Sequence, residues 1–107
     1  MDPERLHAIL TDLRQRLEKT YGNRLVKLVL YGSQARGDAD PESDIDVLTV
    51  LEGDVDAAAE IERTIHDVVD VSSEYDTLVG CVFVSRDEYE HWGSPFLLNV
   101  RREGVAV

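Results

Sequence analysis

Cysteine and basic residues are scarce in this sequence, and each shortage excludes a class of protein. The single cysteine among 107 residues, Cys81, cannot form an internal disulfide, and its apolar surroundings predict a buried small side chain rather than a reactive thiol. Lysine and arginine number 11 against 22 aspartates and glutamates, which gives a formal net charge of -11. Because an acidic surface repels the phosphate backbone, we expect no nucleic-acid partner.

Long apolar runs are absent as well. The longest strongly apolar run, Leu78 to Val84, is far shorter than the roughly 20 residues that a membrane-spanning helix requires. The first residues, Met1 to His7, have neither the basic nor the apolar region of a secretion signal. We therefore expect a cytoplasmic protein without a membrane partner. The hydrophobic content of 43% is ordinary for a folded protein, and 107 residues suffice for a single domain, residues 1–107, with one modest core.

Apolar periodicity divides the chain into helices and strands. Leucines and isoleucines three and four positions apart predict a helix from Pro3 to Tyr21, with Asp2 as its N-cap. A nearly continuous apolar run predicts a buried strand from Leu25 to Tyr31. The same reasoning predicts the remaining elements, which are a short helix over Ser33 to Gly37, a polar loop over Asp38 to Ser43, a strand over Ile45 to Leu51, a helix over Val55 to Ser73, a strand over Leu78 to Ser85, a helical turn over Arg86 to Trp92, a helix over Phe96 to Glu103 and an edge strand over Val105 to Val107.

The turn at Gly32 and Ser33 joins the first predicted strand to a short helix. A strand that ends in glycine before a helix presents unpaired backbone N–H groups, and glycine lets an anion approach them closely. The Ser33 hydroxyl can donate one further hydrogen bond. The turn therefore fits a phosphate group. Gly-Ser is also an ordinary turn, and the sequence is not a P-loop, because no Gly-Lys-Ser/Thr follows.

Two carboxylates, Asp44 and Asp46, lie two positions apart where the second predicted strand begins. Because alternate strand residues share a face, the two side chains can grip one site together. Left unpaired they repel each other, whereas magnesium binds a few carboxylates together with phosphate oxygens and water. An EF-hand that starts at Asp38 fails, because Ser43 and Thr49 occupy the positions of its glycine and glutamate. A solvated acidic loop remains the alternative. A phosphate turn beside a metal pair indicates nucleotide chemistry.

This stretch resembles the signature of the minimal nucleotidyltransferases, which belong to the DNA polymerase beta superfamily together with kanamycin nucleotidyltransferase. The family pattern is G-S-x-A-x-G, a short gap and then S-D-x-D with an apolar tail. The residues that carry the resemblance are Gly32, Ser33, Ala35, Arg36, Gly37, Ser43, Asp44, Ile45, Asp46 and Val50. The order of the predicted elements also matches the whole minimal domain. The resemblance implies an α+β fold (an α/β two-layer arrangement) in which a short mixed β-sheet is packed with helices.

The resemblance also implies roles for the motif residues. Gly32 and Ser33 would hold the triphosphate of a nucleotide, and Asp44 and Asp46 would hold one or two Mg²⁺ ions that bridge it. In this family a hydroxyl attacks the α-phosphorus and pyrophosphate leaves, and the metal neutralises the charge that develops. Asp44 and Asp46 are therefore expected to be both metal ligands and catalytic residues.

A third carboxylate usually follows on the next strand of this family, where it binds metal or removes the acceptor proton. Asp76 is the candidate, because it lies just before the apolar run that starts at Leu78 and shares the strand parity of Leu78 and Gly80. Asp76 could instead end the preceding helix. In that case Asp70 and Glu74 are the alternatives.

Arg36 and Ser43 are two further candidate nucleotide contacts. Arg36 can reach a phosphate, because a guanidinium group pairs well with phosphate oxygens, or it can bridge Asp38 or Asp40 on the surface. Ser43 can contact the nucleotide or orient the loop by bonding to the local backbone. The sequence leaves both choices open.

The implied activity is a magnesium-dependent transfer of a nucleoside monophosphate, most simply AMP from ATP, to a hydroxyl acceptor. Small members of this family are often paired with a HEPN-domain toxin, which implies an antitoxin that modifies its partner with AMP. One alternative is a non-catalytic module that binds nucleotide or partner and neutralises the partner by contact. Another is transfer to a small molecule, such as an aminoglycoside, in a cleft built by a homo-oligomer. Transfer to an RNA end is disfavoured by the acidic surface.

Overall fold

A computed structural model describes residues 1–37 and 44–107 of the chain. The polar loop predicted over Asp38 to Ser43 lies outside the described residues, and so does the expected nucleotide contact of Ser43. The described elements, in chain order, are α1 (Pro3–Tyr21), a 3₁₀ turn (Gly22–Arg24), β1 (Leu25–Tyr31), α2 (Ser33–Arg36), β2 (Ile45–Leu51), α3 (Ala57–Glu74), β3 (Val79–Ser85), α4 (Arg86–His91), α5 (Pro95–Glu103) and β4 (Val105–Ala106).

Helix α1 forms as its sequence predicts. The Asp2 carboxylate accepts a hydrogen bond from the Glu4 N–H at 3.1 Å, and Pro3 occupies the first turn, where its missing N–H does no harm. One face of the helix is apolar at intervals of three and four residues, and this face is buried. The buried residues of α1 are Ile9, Leu10, Leu13, Leu17 and Tyr21.

The four strands form one mixed sheet in the order β3-β2-β1-β4. The β1–β2 and β1–β4 pairs are antiparallel, whereas β2 and β3 are parallel and are joined through α3. A parallel pair requires a crossover of this kind, and α3 supplies it. Together with the helices, this mixed sheet confirms the predicted α+β fold class.

The two faces of the sheet are covered by different helices. One face carries Ile45 and Val47, which pack in a cluster with the apolar side of α1 and with Val71 of α3. The opposite face carries Leu48 and Val50, which pack with residues of α5. Since strand residues alternate, Asp46 belongs to the face of Leu48 and Val50, as predicted. The site described below therefore lies on the α5 side of the sheet.

Several predicted boundaries shift by one or two residues. Helix α3 begins at Ala57 rather than Val55, because the Asp56 carboxylate caps it by accepting from the Ala59 N–H at 3.3 Å. It ends at Glu74 rather than Ser73, and β3 begins at Val79 rather than Leu78. The other predicted elements are confirmed to within a residue or two.

Cys81, predicted to be buried, is partly buried and packs against the cluster that α1 and α3 form. Burial raises the pKa of its thiol to about 12, so the sulfur stays protonated at neutral pH. None of the described helices has the length and apolar character that crossing a bilayer would need.

Candidate functional site

Asp46 lies on an inner strand, between residues of both neighbouring strands. Its register partner on β1 is Tyr31, and its partner on β3 is Gly80. The three residues therefore form one row across the sheet. Because β2 is covered by a strand on each side, the Asp46 side chain is half-buried, whereas Asp44, just before the strand, is exposed.

The turn at Gly32 touches the Asp46 carboxylate. A Cβ atom at position 32 would lie 2.8 Å from Asp46 Oδ2, which is closer than side chains tolerate. The backbone at Gly32 also has a φ of 77°, a left-handed conformation that glycine adopts without strain. Both observations explain why glycine is required here. The phosphate turn and the metal pair predicted from the sequence are thus in direct contact.

The charge of Asp46 is not compensated by its neighbours. Among the described residues, neither a cation nor a hydrogen-bond donor contacts the carboxylate of Asp44 or Asp46. Burial raises the pKa of Asp46 above its ordinary value, and the nearby charge of Asp44 raises it further. A half-buried carboxylate beside a second one, with no counter-charge from the described chain, is a donor set that a cation would stabilise.

Asp44 and Asp46 fit the ligand preferences of Mg²⁺. This ion typically binds one or two carboxylates and keeps its other positions for substrate phosphates and water. Within residues 1–37 and 44–107, no group of three or more Asp, Glu, His or Cys side chains is arranged to hold a metal. The donor set seen here is therefore a pair of carboxylates rather than a triad.

Helix α2 starts directly after this contact. Gly32 is its N-cap, and the Gly32 carbonyl accepts hydrogen bonds from the Ala35 and Arg36 N–H groups at 3.1 and 3.2 Å. Ser33 is the first helical residue rather than the cap, and its hydroxyl makes no capping hydrogen bond. The Ser33 N–H belongs to the first turn of α2, where backbone donors have no partner within the helix.

Arg36 pairs with a residue that the sequence did not single out. Its Nη1 lies 3.6 Å from Oε2 of Glu103, near the end of α5. The two surface partners that the sequence offered, Asp38 and Asp40, lie outside the described residues. An ion pair between partly exposed side chains contributes only about 0–1 kcal/mol to stability.

The candidates for a third carboxylate lie on and after α3. Asp76 belongs to the turn between α3 and β3, and its φ of 50° is left-handed. Such a residue interrupts the alternation of side chains, so the predicted parity of Asp76 with β3 is wrong. Asp70 and Glu74 lie 3.5 and 3.9 Å from the guanidinium group of Arg16 on α1. The role of Asp76 in catalysis stays a prediction.

An aromatic pair borders the site, and sequence reasoning missed it. The rings of Tyr31 and Phe96 meet edge to face, with centroids 5.3 Å apart at an angle of 85°. Burial raises the pKa of Tyr31, and the charge of Asp46 adds to the rise. No local pattern could have found this pair, because Phe96 comes from α5, far along the chain.

Gly80 is a further residue of the site that the sequence analysis did not identify. A Cβ at this position would lie 3.7 Å from Asp46 Oδ1, and nothing else lies within 4 Å of it. Gly80 is also exposed. The absence of a side chain leaves the space beside this oxygen open on the β3 side. Its register with Asp46 could have been predicted only if the strand order had been known.

Comparison with known families agrees with this geometry. The family model of the nucleotidyltransferase domain matches residues 10–95, which include most of α1, the Gly32 turn, the Asp44–Asp46 pair and β3. The chain belongs to the nucleotidyltransferase domain family. The resemblance predicted from the motif is thereby confirmed.

Several curated relatives come from Methanocaldococcus jannaschii. The chain is 30% identical to "Putative protein adenylyltransferase MJ1305" over 69 residues, which are 64% of this chain and 47% of that protein. It is 29% identical to "Putative protein adenylyltransferase MJ0141" over 92 residues, covering 79% of this chain and 92% of that protein. The chain thus spans about half the length of the first relative and nearly all of the second.

Two solved structures share the fold. A chain of a structure titled "Crystal structure of the toxin-antitoxin with AMP-PNP" superposes with a TM-score of 0.59 at 22% identity, covering 88% of this chain and 68% of that chain. A nucleotidyltransferase structure from Sulfolobus solfataricus superposes with a TM-score of 0.52 at 20% identity, covering 99% of this chain and 87% of that chain. At these identities the likeness concerns the fold.

Proposed function

We propose that this protein transfers AMP from ATP to a hydroxyl group of a partner protein, in a reaction that depends on Mg²⁺ held by Asp44 and Asp46. The observation that carries the proposal is the contact between the Gly32 turn and Asp46, where a Cβ would lie only 2.8 Å from the carboxylate oxygen. A phosphate at the turn and a cation at the carboxylates would then be neighbours. The names of the relatives support AMP as the transferred group and protein as the acceptor.

Each residue of the site has a definite task in this reaction. The backbone at Gly32 and the N–H and hydroxyl of Ser33 bind the triphosphate, and Asp44 and Asp46 hold the cation beside it. When bound, Mg²⁺ supplies compensation for the charge that grows on the leaving pyrophosphate. Arg36, which pairs with Glu103, is a further phosphate contact in this assignment. Ser43 is a further nucleotide contact in this assignment.

The chemical step joins the acceptor oxygen to the α-phosphorus and breaks the bond between the α- and β-phosphates. Pyrophosphate leaves with the bonding electrons, and the acceptor hydroxyl releases its proton. Asp76 is the proposed third carboxylate that takes this proton, since it is the acid that directly precedes β3, the strand beside Asp46. Asp76→Asn tests this role, which requires a loss of transfer with unchanged nucleotide binding.

The proposed acceptor is a toxin of the HEPN type, which AMP transfer would inactivate. Support comes from the fold shared with a chain of a toxin–antitoxin structure and from the protein adenylyltransferase relatives. The net charge of -11 favours a basic acceptor protein over a nucleic acid. In this assignment the protein acts as the antitoxin.

Label transfer from α-labelled ATP tests the proposal. The protein is purified with any copurifying partner and incubated with labelled ATP and Mg²⁺. We expect label on the partner with the natural sequence and none with Asp46→Asn. Asp87→Asn is the matched control, because it removes an exposed aspartate whose ion-pair partner among residues 1–37 and 44–107 is His91 on α4. Equal labelling by the natural protein and Asp46→Asn would refute the proposal.

A second candidate function is contact inhibition without catalysis. It is favoured by the position of Asp76, the candidate third carboxylate, which lies in the turn between α3 and β3 and not on the strand. Asp44→Asn separates the two functions. Under the enzymatic proposal, this substitution abolishes both AMP transfer and neutralisation of the partner. A binding module that carries the same substitution still binds the partner and neutralises it.

A further inference from the structure

An apolar stripe on α3 is exposed to solvent. Ile61, Ile65 and Val69 follow one another at intervals of four residues and are 46%, 42% and 52% exposed. At 1.5 Å per residue the stripe spans about 12 Å, or a little over two helical turns. Apolar residues spaced in this way normally pack against another surface. The side of α3 that packs on the protein core is formed by different residues, such as Val71, so the stripe is left facing solvent.

Strand β3 forms the opposite wall of a groove along this stripe. Of the described strands, only β2 pairs with β3, so β3 is an edge strand. Ile61 and Ile65 line a depression together with Gly80 on β3. The depression is followed by a second one, lined by Val69 and by Leu78, which is 63% exposed. We call the surface formed by these five residues the α3–β3 groove.

The groove and the carboxylate pair lie on opposite faces of the sheet and come closest at the edge formed by β3, because α3 packs on the face of Ile45 and Val47 and Asp46 belongs to the face of Leu48 and Val50. Gly80 lines the groove and is also the register partner of Asp46, and a Cβ at Gly80 would lie 3.7 Å from Asp46 Oδ1. Only the side-chain-free backbone of one edge strand therefore separates the groove from the site. A protein bound in the groove could extend a hydroxyl-bearing residue past Gly80 to the carboxylates.

Charge decides which occupant fits. The chain carries a formal net charge of -11. Helix α3 has four carboxylates besides Glu60, which is buried and paired with Arg24 and Arg63. Arg16 of α1 is shared among several of these acids, including Asp67 and Asp70, so part of the negative charge is left uncompensated. A second copy of this chain would bring the same charge to the groove, whereas a basic partner would be attracted.

We propose that the α3–β3 groove is the docking surface for the acceptor protein, and that its occupant is an amphipathic helix whose apolar face is flanked by lysine or arginine. The part that concerns the acceptor rests on the proposed function. The length of the stripe calls for a helix of at least three turns, with apolar residues at positions i, i+3, i+4 and i+7.

Peptide binding to the full chain tests the docking surface. The probe is a fluorescent 18-residue peptide of leucine and lysine, with leucine at the helical positions given above, and a leucine–glutamate peptide of the same pattern is its counterpart. We expect the lysine peptide to bind and the glutamate peptide not to bind. Val69→Glu should weaken binding by about tenfold or more, because the charge disrupts the apolar contact.

The charge of the new residue makes this result specific. A glutamate at position 69 attracts the lysine peptide, so a loss of affinity reports the apolar contact and not the electrostatic one. Leu98→Glu is the matched control, since Leu98 on α5 is 50% exposed and lies on another part of the surface. It should bind as the natural protein does. Ile61→Ser is a milder second variant, and circular dichroism verifies that each variant is folded.

Three outcomes would overturn the proposal. They are unchanged binding by Val69→Glu and Ile61→Ser, equal weakening by Leu98→Glu, and a dimer of the natural protein in sedimentation equilibrium that Val69→Glu dissociates. The last would assign the groove to a second copy. Binding of ATP with Mg²⁺ is measured in parallel and should be unchanged in all variants. If the natural protein does not bind ATP with Mg²⁺, the proposed function is refuted, and the result on the groove still stands.

Discussion

Glu60 and Asp46 are both carboxylates that the fold withdraws from solvent, but their surroundings are opposite. Glu60 is 3% exposed and accepts a hydrogen bond from the Tyr21 hydroxyl at 2.8 Å. Arg63 Nε donates to it at 3.0 Å, and Arg24 Nη1 lies 3.4 Å away. Asp46 has no such partners among the described residues. One carboxylate is neutralised within the protein, and the other is left for a ligand.

The pKa shifts of the two groups differ in sign for the same reason. Burial alone would raise the pKa of Glu60, but the Tyr21 hydrogen bond and the charges of Arg63 and Arg24 lower it below its ordinary value. For Asp46, burial raises the pKa and the charge of Asp44 adds to it. Compensated charge therefore serves the stability of the fold, and uncompensated charge marks the candidate site.

The largest effect should come from removing the uncompensated charge. Asp46→Asn should lower AMP transfer by about 10³-fold or more, because it removes a ligand of the cation on which the reaction depends. Glu60→Gln, the same chemical change at the compensated carboxylate, should leave the transfer rate within about threefold, since Glu60 touches no substrate. Single-turnover rates with labelled ATP compare the two variants. Similar transfer rates for the two variants would contradict the assignment of Asp46, and not Glu60, to the site.

The contact between Asp46 and the turn should matter next. Gly32→Ala places a Cβ 2.8 Å from Asp46 Oδ2 at a φ of 77°, so it should displace the carboxylate and lower transfer by roughly 10–100-fold. Gly22→Ala is the matched control, because Gly22 has a similar backbone conformation, with φ 55° and ψ −128° against φ 77° and ψ −158° at Gly32, and nothing lies within 4 Å of the added Cβ. Both variants therefore place alanine in a conformation that favours glycine. Equal losses would show that strain alone, and not the contact, is responsible.

The two substitutions should affect stability in the reverse order, with Glu60→Gln having the larger effect. Glu60→Gln should lower the free energy of unfolding by about 2 kcal/mol, because it leaves the hydroxyl of Tyr21 and two guanidinium groups with a weaker acceptor. Asp46→Asn should leave the free energy of unfolding unchanged or slightly higher, since it removes repulsion from Asp44. Urea unfolding at pH 7 measures both. A stability loss at Asp46 as large as that at Glu60 would show that Asp46 also has a structural partner.

The smallest effect is the dependence of stability on pH. The pKa of Glu60 is lowered in the folded state, so its contribution is complete above the ordinary value of 4.5 and is lost as the pH falls through the folded pKa. The pKa of Asp46 is raised above its ordinary 3.8, so its ionised form costs stability above the folded pKa, and this cost vanishes as the pH falls. Without metal, the gain of Asp46→Asn, about 0.5 kcal/mol, should shrink between pH 7 and pH 4, whereas the deficit of Glu60→Gln should stay nearly constant down to pH 4.5 and shrink below it. Differences that stay constant down to about pH 3 would contradict the two shifts.

Most of the fold was predictable because local patterns determine it. The apolar periodicity of α1 and its cap at Asp2 give its boundaries, and the run from Leu25 to Tyr31 gives a strand. The motif gives the Gly32 turn and the Asp44–Asp46 pair. The predicted strand parity of Asp76 failed because a single backbone conformation decides it, and the φ of 50° at Asp76 follows from no residue pattern.

Contacts between distant segments could not be predicted from the sequence. Glu60 belongs to α3, and its partners Tyr21 and Arg24 lie at and beyond the end of α1. Nothing in the spacing of these residues shows that they meet. The same holds for the ion pair of Arg36 with Glu103, which depends on how α5 packs on the sheet. Such contacts follow from the assembled fold.

The most direct test of the central claim is to locate the bound cation. Mn²⁺ can replace Mg²⁺, and it broadens the carbon-13 resonances of the carboxyl groups that it contacts. In the presence of a non-hydrolysable ATP analogue and a trace of Mn²⁺, we expect selective broadening of Asp44 and Asp46, with Glu60 unaffected. Broadening of Asp76 as well would identify the third carboxylate. Broadening spread evenly over the surface acids, with none specific to Asp44 and Asp46, would contradict the account.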